Sequence, residues 1–446
     1  MILSFAPGAS VVLEGQGQLT HRGRLESDHG ACFSASTPGR VRLLGAIDVI
    51  DVGWWSGEGA LPFRCALAAL HARWQANLGG LSLRLPATMT VDQTLVLELP
   101  TGMTGAQEIS LVGQGAQLVA SPSLSGAMLQ VNEGVLLKAE GLSFLQTTQG
   151  EGAMVLLMTR ESGLLFVDCT WACGERRVAV SASLPSRYLA GYLLATALGI
   201  QPVVSETLIT QSLTQGARML SFDRCLFEGS GALAFVQVEY SELVALRVSD
   251  CLFRGRYKRG VAMYAGDALV TASHFHNEDV AGAESVDEGD VVCLGAPQVA
   301  PTGNKQNDLK TEAMEGALVE RFDTLRVPNP HVTLNHCVSR SARLLSSRLC
   351  WKHPEAPRTS VLLNGVIHQR AAPAAHEVSI AWDVDAGERG LVLQATELAS
   401  PVRLTRSTSG YAREDRPWVV ALGPEPPFGG QHDRLGTLQI ERLRAS

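Results

Sequence analysis

A polar residue, a small thiol-type residue and an aromatic ring recur together along the chain. The segments are Val167-Asp168-Cys169-Thr170-Trp171, Asp223-Arg224-Cys225-Leu226-Phe227, Ser249-Asp250-Cys251-Leu252-Phe253 and Ala272-Ser273-His274-Phe275. Carboxylates beside thiols, repeated, have the composition of an acid–base array or a soft-metal site. Cys169-x3-Cys173 has the outline of half a zinc site, but tetrahedral zinc takes four such ligands and no second clustered pair of Cys or His follows, so no metal is assigned. The spacing argues for a structural role. Cys225 and Cys251 lie 26 residues apart, Cys251 and Ser273 lie 22 apart, and Gly126-Ala127-Met128 recurs 26 residues later as Gly152-Ala153-Met154. A residue kept on successive passes of a repeat serves the repeat, and Asp168 and Asp250 read as outward residues or caps on turn N–H groups.

The elements behind this spacing are short strands. A period of 22–28 residues with β-type residues at matched positions is the signature of a stacked β-solenoid. Each strand pairs in parallel with its equivalent about 4.8 Å away, and inward residues stack on their own counterparts. The expected interior columns are Cys169, Cys225, Cys251, Ser273 and Cys337, and, two residues on, Trp171, Phe227, Phe253 and Phe275. Nine cysteines, an odd number, suit a reduced interior better than a disulfide framework.

The expected organisation is a small β-rich region over 1–50, a capping helix and first coils over 51–108, coils over 109–412, and a C-terminal coil and cap over 413–446. Pro62 opens a helix over 62–76 whose Phe63, Leu67, Leu70 and Trp74 share one face, and Gly79-Gly80 ends it. Two stretches break the repeat. Residues 184–216 contain an apolar run that reads as a short helix, and 278–325 are polar and acidic. Insertions of this kind project as loops and often carry binding.

Composition narrows the function. With 446 residues, 46% hydrophobic and 18% charged, the chain reads as ordered, and a net charge of −7 argues against a broad nucleic-acid surface. The most apolar window, 188–200, is too short to span a bilayer, so no membrane insertion is expected. Residues 1–8 lack the charged and apolar regions of a secretory signal, which predicts assembly in the cytoplasm.

The stretch from Trp54 to Leu118 resembles the opening of the pectate-lyase-like right-handed parallel β-helix superfamily, in particular its bacteriophage tailspike and depolymerase branch. The matching features are Trp54-Trp55-Ser56-Gly57-Glu58-Gly59, the helix 62–76, Gly79-Gly80, Leu83-Arg84-Leu85-Pro86 and Leu111-Val112-Gly113-Gln114-Gly115, in that order. The Asp-rich part of that opening is missing, and Glu58 to Arg64 stand in its place. The resemblance implies an all-β, right-handed, single-stranded parallel β-helix with insertions. It implies a homotrimeric virion tail protein that binds, and in catalytic members depolymerises, a host surface polysaccharide. It would attach to other tail or baseplate proteins through its N-terminal region. The alternatives are a non-catalytic part of a phage tail or related contractile machine, and a stand-alone polysaccharide lyase or hydrolase. The superfamily spans lyases, hydrolases, epimerases and inert fibres, so the fold alone leaves the activity open.

The Asn-Thr-Asp, Asp-Asp and Gly-His-Gly segments of the polygalacturonase-type branch are absent. Glycoside cleavage requires two carboxyl groups, about 5–5.5 Å apart for retention or about 6.5–9.5 Å for inversion. The candidates on outward positions of neighbouring coils are Glu239, Glu242, Asp267 and Asp279, with Glu278 at the edge of the insertion. Tyr240, Tyr257 and Tyr264 supply rings on which a sugar could stack, and Arg256 stands among Arg254, Lys258 and Arg259 as a contact for an acidic glycan. His274 and His276 read as surface residues. No cofactor is expected.

Overall fold

The computed structural model describes residues 2–5, 9–13, 16–26, 30, 32–34, 37–150, 152–157, 162–182, 195, 201, 219–238, 245–264, 266–278, 288–294, 330–348, 360–369, 379–383, 391–398, 402–405 and 420–422. Statements about structure concern these residues.

The chain runs through three parallel ladders in fixed order and then returns to the first. One pass comprises Gly163–Val167, Thr170–Cys173 and Val178–Ala182. On the next pass these pair in parallel with Met219–Asp223 and with the two halves of Leu226–Val238. The pattern continues through Asp267–Thr271, His274–Asn277 and Gly289–Leu294 to His331–Asn335, Val338–Ser339 and Leu345–Arg348. The main sheet contains 28 strands. The architecture is therefore predominantly parallel β, with one α-helix, and is compatible with a β-helix solenoid.

Register explains why these sequences form it. In the first ladder Ile50, Leu83, Leu111, Ala139, Phe166, Phe222, Val248, Val270, Leu334, Leu363 and Leu393 are successive partners. All are buried. In the third ladder Leu129, Val155, Val180, Val236, Val261, Val291, Leu345 and Ile380 repeat the arrangement. In the first ladder neighbouring residues alternate between inward and outward positions, as the twofold side-chain period requires, whereas in the third ladder the outward neighbours Ser181, Gln237, Ala262 and Val292 are buried as well.

The second ladder carries the aromatic column. Phe144, Trp171, Phe227, Phe253 and Phe275 are register partners. Their rings stack at centroid distances of 5.4, 4.6, 4.8 and 4.6 Å, with interplanar angles of 10, 9, 3 and 11°. The spacing is that of the strands, so each ring lies flat on the next and excludes water along the whole run. The following partners are Ser339, His368 and Leu398, and the interior becomes polar there.

The bend between the first and second ladders sets the identity of the residue before each thiol. Asp168, Arg224, Asp250, Ala272, His336 and Ala395 have φ of 53, 49, 53, 48, 52 and 45°, and Gly141 and Gly365 take the same conformation at 66 and 62°. This is the left-handed region, which Gly, Asn and Asp tolerate best. The recurring Asp is there for the backbone it permits.

The N-terminal strands follow the same scheme with a shorter period. Val11, Phe33 and Trp55 are successive partners 22 residues apart, and Leu19 pairs with Val41. Val49–Asp51 joins this region to the main sheet by pairing with Ser82–Arg84. Helix α1 (Leu61–Gln75) follows Trp55–Ser56 and stands in the chain where other passes place a third-ladder strand, contacting Val41–Leu43 and Leu95–Leu97. It therefore has passes before and after it. Phe63, Leu67, Leu70 and Trp74 are buried as their spacing requires, and buried Arg73 donates from Nη1 to the carbonyls of Leu43 and Gly45 at 2.9 and 2.8 Å. The helix ends earlier than Gly79-Gly80. Asn77 takes φ 55° and donates its N–H to Trp74 O at 2.9 Å, while Leu78 N donates to Arg73 O at 3.0 Å, which is a Schellman ending with Asn in the glycine position.

Candidate functional site

The thiol column is buried and inert. Cys169, Cys225, Cys251 and Cys337 each donate from Sγ to the carbonyl two residues back, at 3.2 to 3.4 Å, and Ser273 does the same with its hydroxyl at 3.0 Å. Burial pushes the Cys169 thiol up to about 12 and that of Cys337 to about 11. A thiol held in this state is a weak donor and a poor nucleophile. Among the described residues no three of His, Cys, Asp and Glu form a metal-holding group. Outside the same bend, Arg224 forks onto Asp168 with Nε and Nη2 at 2.9 and 3.0 Å and also pairs with Asp223. That hydrogen-bonded guanidinium holds the Asp168 carboxyl below its usual value.

A second cluster lies inside the stack where the aromatic column ends. Asp290 is fully buried and receives hydrogen bonds from Tyr257 Oη at 2.7 Å, Ser341 Oγ at 2.6 Å and Ser339 Oγ at 2.5 Å. Its register neighbour on the preceding pass is Gly260, where a Cβ would meet Asp290 O and the ring of Phe275, so the absence of a side chain there makes room for the cluster. Burial raises the Asp290 carboxyl to about 7, against the three hydroxyls, which lower it. Burial, then the neighbouring carboxylate, raises the Tyr257 phenol well above its ordinary value.

This overturns one expectation. Tyr257 is 0% exposed and offers no ring to a sugar. The expected surface cluster of Tyr257 with Arg254, Arg256 and Lys258 does not form, because the chain bends from the second ladder to the third here and turns the tyrosine inward. Arg256 is exposed at that bend, with Nη2 3.4 Å from Ser230 O. Arg254 pairs with Glu228, and Lys258 with Glu288 at 3.2 Å, so part of the basic cluster is neutralised. His274 and His276 are exposed.

Tyr264 and Asp267 lie together where the chain passes from the third ladder to the first. Tyr264 is half-buried against Ala262 and Val292, and Asp267 is exposed at the head of its strand. Glu239, Tyr240, Glu242 and Asp279 lie outside the described residues, as does the short helix expected within 184–216. The register pairs Val238 with Met263 and Ala245 with Asp267, so the connection containing Glu239, Tyr240 and Glu242 joins the same two ladders one pass earlier. Arg256 belongs to the other side of the third ladder.

Asp267 has neighbours that no sequence pattern marks. It is the register partner of His331, which is the partner of Ser360, on three successive strands of the first ladder. His331 and Ser360 are both half-buried, and His331 Nδ1 lies 2.7 Å from Ser360 Oγ. Separations of 64 and 29 residues hide this row from any local motif search. Only an alignment of the passes onto one another could have found it.

Trp55, Gly57, Glu58 and Gly59 of the glycine-rich motif line a cleft of about 580 Å3 whose other side includes Thr88 and Asp92. It opens where the second ladder is interrupted between Trp55–Ser56 and Thr88–Val91. Asp92 Oδ1 accepts the N–H of Ala60 at 2.9 Å, so this carboxylate holds the start of α1.

No known protein family, curated protein or solved structure matches the chain.

Proposed function

We propose that the chain is a right-handed, single-stranded parallel β-helix of the tailspike type, a homotrimeric virion tail protein that binds a host cell-surface polysaccharide. The right hand follows the general rule for parallel crossover connections. The observation that carries the reading is where the repeat is broken. Between residues 109 and 398 the three longest connections, 183–218, 295–329 and 349–359, run from the third ladder back to the first, the side that holds Tyr264 and Asp267, whereas the shorter 279–287 and 370–378 run from the second ladder to the third. A regular scaffold with its longest connections on one side is the usual arrangement of a recognition surface on a repeat protein. The N-terminal passes attach the protein to other tail or baseplate components.

The second reading, a non-catalytic structural part of a tail or contractile machine, is favoured by one observation. The described carboxylates Asp168, Glu228 and Glu288 are held by Arg224, Arg254 and Lys258 on neighbouring passes, as side chains that brace a scaffold are. Two measurements separate the readings. Light scattering after size exclusion is expected to give three chains per particle, and a panel of bacterial surface polysaccharides is expected to contain one that binds. A monomer that binds and shortens none of them would exclude the tailspike reading.

A further inference from the structure

From the row Asp267–His331–Ser360 we infer a serine-hydrolase-type site on the outer face of the first ladder, acting on short-chain carboxylic esters. This inference does not rest on polysaccharide binding, since a chain without glycan affinity could still carry out the chemistry.

Three side chains of the right kinds occupy one outward column, on strands about 4.8 Å apart. Their backbones are fixed: His331 N donates to Gly266 O at 2.9 Å and Ser360 N to Pro330 O at 3.2 Å. His331 Nδ1 and Ser360 Oγ are already at hydrogen-bonding distance, 2.7 Å. That is the nucleophile–base contact this chemistry needs, whatever the order of the residues in the chain. With its proton on Nε2, the imidazole presents the Nδ1 lone pair to the serine and its N–H towards the third member. Asp267 is exposed on the adjoining strand, on the far side of His331 from Ser360, and is assigned as the acceptor of that N–H. Catalytic hydrogen bonds often close only when substrate is bound. Two residues further along the same strands, Leu269, Thr333 and Leu362 form the next outward row, and Leu269 is 39% exposed. This gives a shallow, partly apolar shelf suited to a small acyl group on a larger alcohol.

The steps balance as an ester hydrolysis. Ser360 Oγ attacks the acyl carbon while its proton moves to His331 Nδ1. The tetrahedral intermediate collapses, the alcohol leaves with that proton, and the acyl group stays on Ser360. Water then attacks, giving its proton to Nδ1. The carboxylic acid departs and Ser360 Oγ recovers the proton. Asp267 is a positioning residue that orients the imidazole and stabilises its charged form.

The test uses the full chain with 4-nitrophenyl acetate and, separately, a fluorophosphonate probe followed by peptide mass spectrometry. The expected result is a burst of 4-nitrophenolate equal to the protein, then slow turnover, with the probe on Ser360. S360A and H331Q should each lower the rate at least about 100-fold. D267N should lower kcat about tenfold with KM unchanged. A burst that survives S360A, or a probe that leaves Ser360 unlabelled in the unaltered protein, overturns the site. An unchanged kcat in D267N removes the aspartate from it. The labelling arm needs no variant, so it stands even if a substitution impairs folding.

Discussion

Asp290 is the residue in which the interior of the stack and the pH of the medium meet. Its carboxyl titrates near 3.8 when unfolded and at about 7 when folded. An acid whose folded value is raised binds its proton more tightly in the native state. Its contribution to stability is therefore complete below about pH 4, declines by about 1.4 kcal/mol per pH unit, and is gone above about pH 7. D290N removes this slope. The difference in melting temperature between D290N and the parent protein is expected to become steadily more favourable to D290N from pH 4 to pH 7 and to level off above. A difference constant across that range would mean that the three hydroxyls hold the carboxylate ionised throughout. No sequence pattern marks this site, because Tyr257, Asp290, Ser339 and Ser341 are common residue types drawn from three passes. What the sequence did make visible was the thiol and ring columns, since each recurs at its own period and carries its aromatic partner with it.

At the scale of the element, the bend between the first and second ladders imposes left-handed backbone on whatever residue falls there. Alanine at 272 gains nothing for that conformation, which costs an L-residue about 1–2 kcal/mol that glycine avoids. Glycine loses about 0.5–1 kcal/mol through its freer unfolded chain. A272G should therefore stabilise the protein by roughly 0.5–1 kcal/mol in urea unfolding. A245G, in an extended strand of the same ladder, should destabilise it by a similar amount. If both variants lose stability, the bend is not limited by its backbone. The same argument explains what was legible here. The strands and α1 were readable because burial imposes a period of two or of 3.6 on side chains. The span of α1 was readable to within a residue, but its terminator was not, because Asn77 does at that point what glycine usually does; Asp168 and Asp250 were readable as turn residues without the φ value that explains them.

Across the whole molecule each pass touches only its neighbours, so stability is a sum of pass and interface contributions and need not be uniform. From Phe144 to Phe275 every interface in the second ladder is a ring laid on a ring, each removing about 150–250 Å2 from water. Beyond Phe275 the column continues as Ser339 and His368. There His368 Nδ1 lies 2.7 Å from Ser379 Oγ and its Nε2 2.9 Å from Ser341 O. Hydrogen bonds satisfy these groups but return little net free energy compared with buried rings. The stack should therefore open from the polar side of this boundary. In hydrogen exchange, corrected for intrinsic rates, amides of 331–348 and 360–368 should be at least about tenfold less protected than those of 219–238 and 245–263, a difference of about 1.4 kcal/mol. Raising the pH from 6 to 8 should widen the gap, because Asp290 loses its proton at the boundary itself, whereas protection of 135–146 should not change. F275A, which removes the last ring, should move the boundary back by one pass and expose 252–263. Equal protection on both sides at both pH values would mean that the ladders' backbone pairing, and not the interior column, sets the stability of the stack.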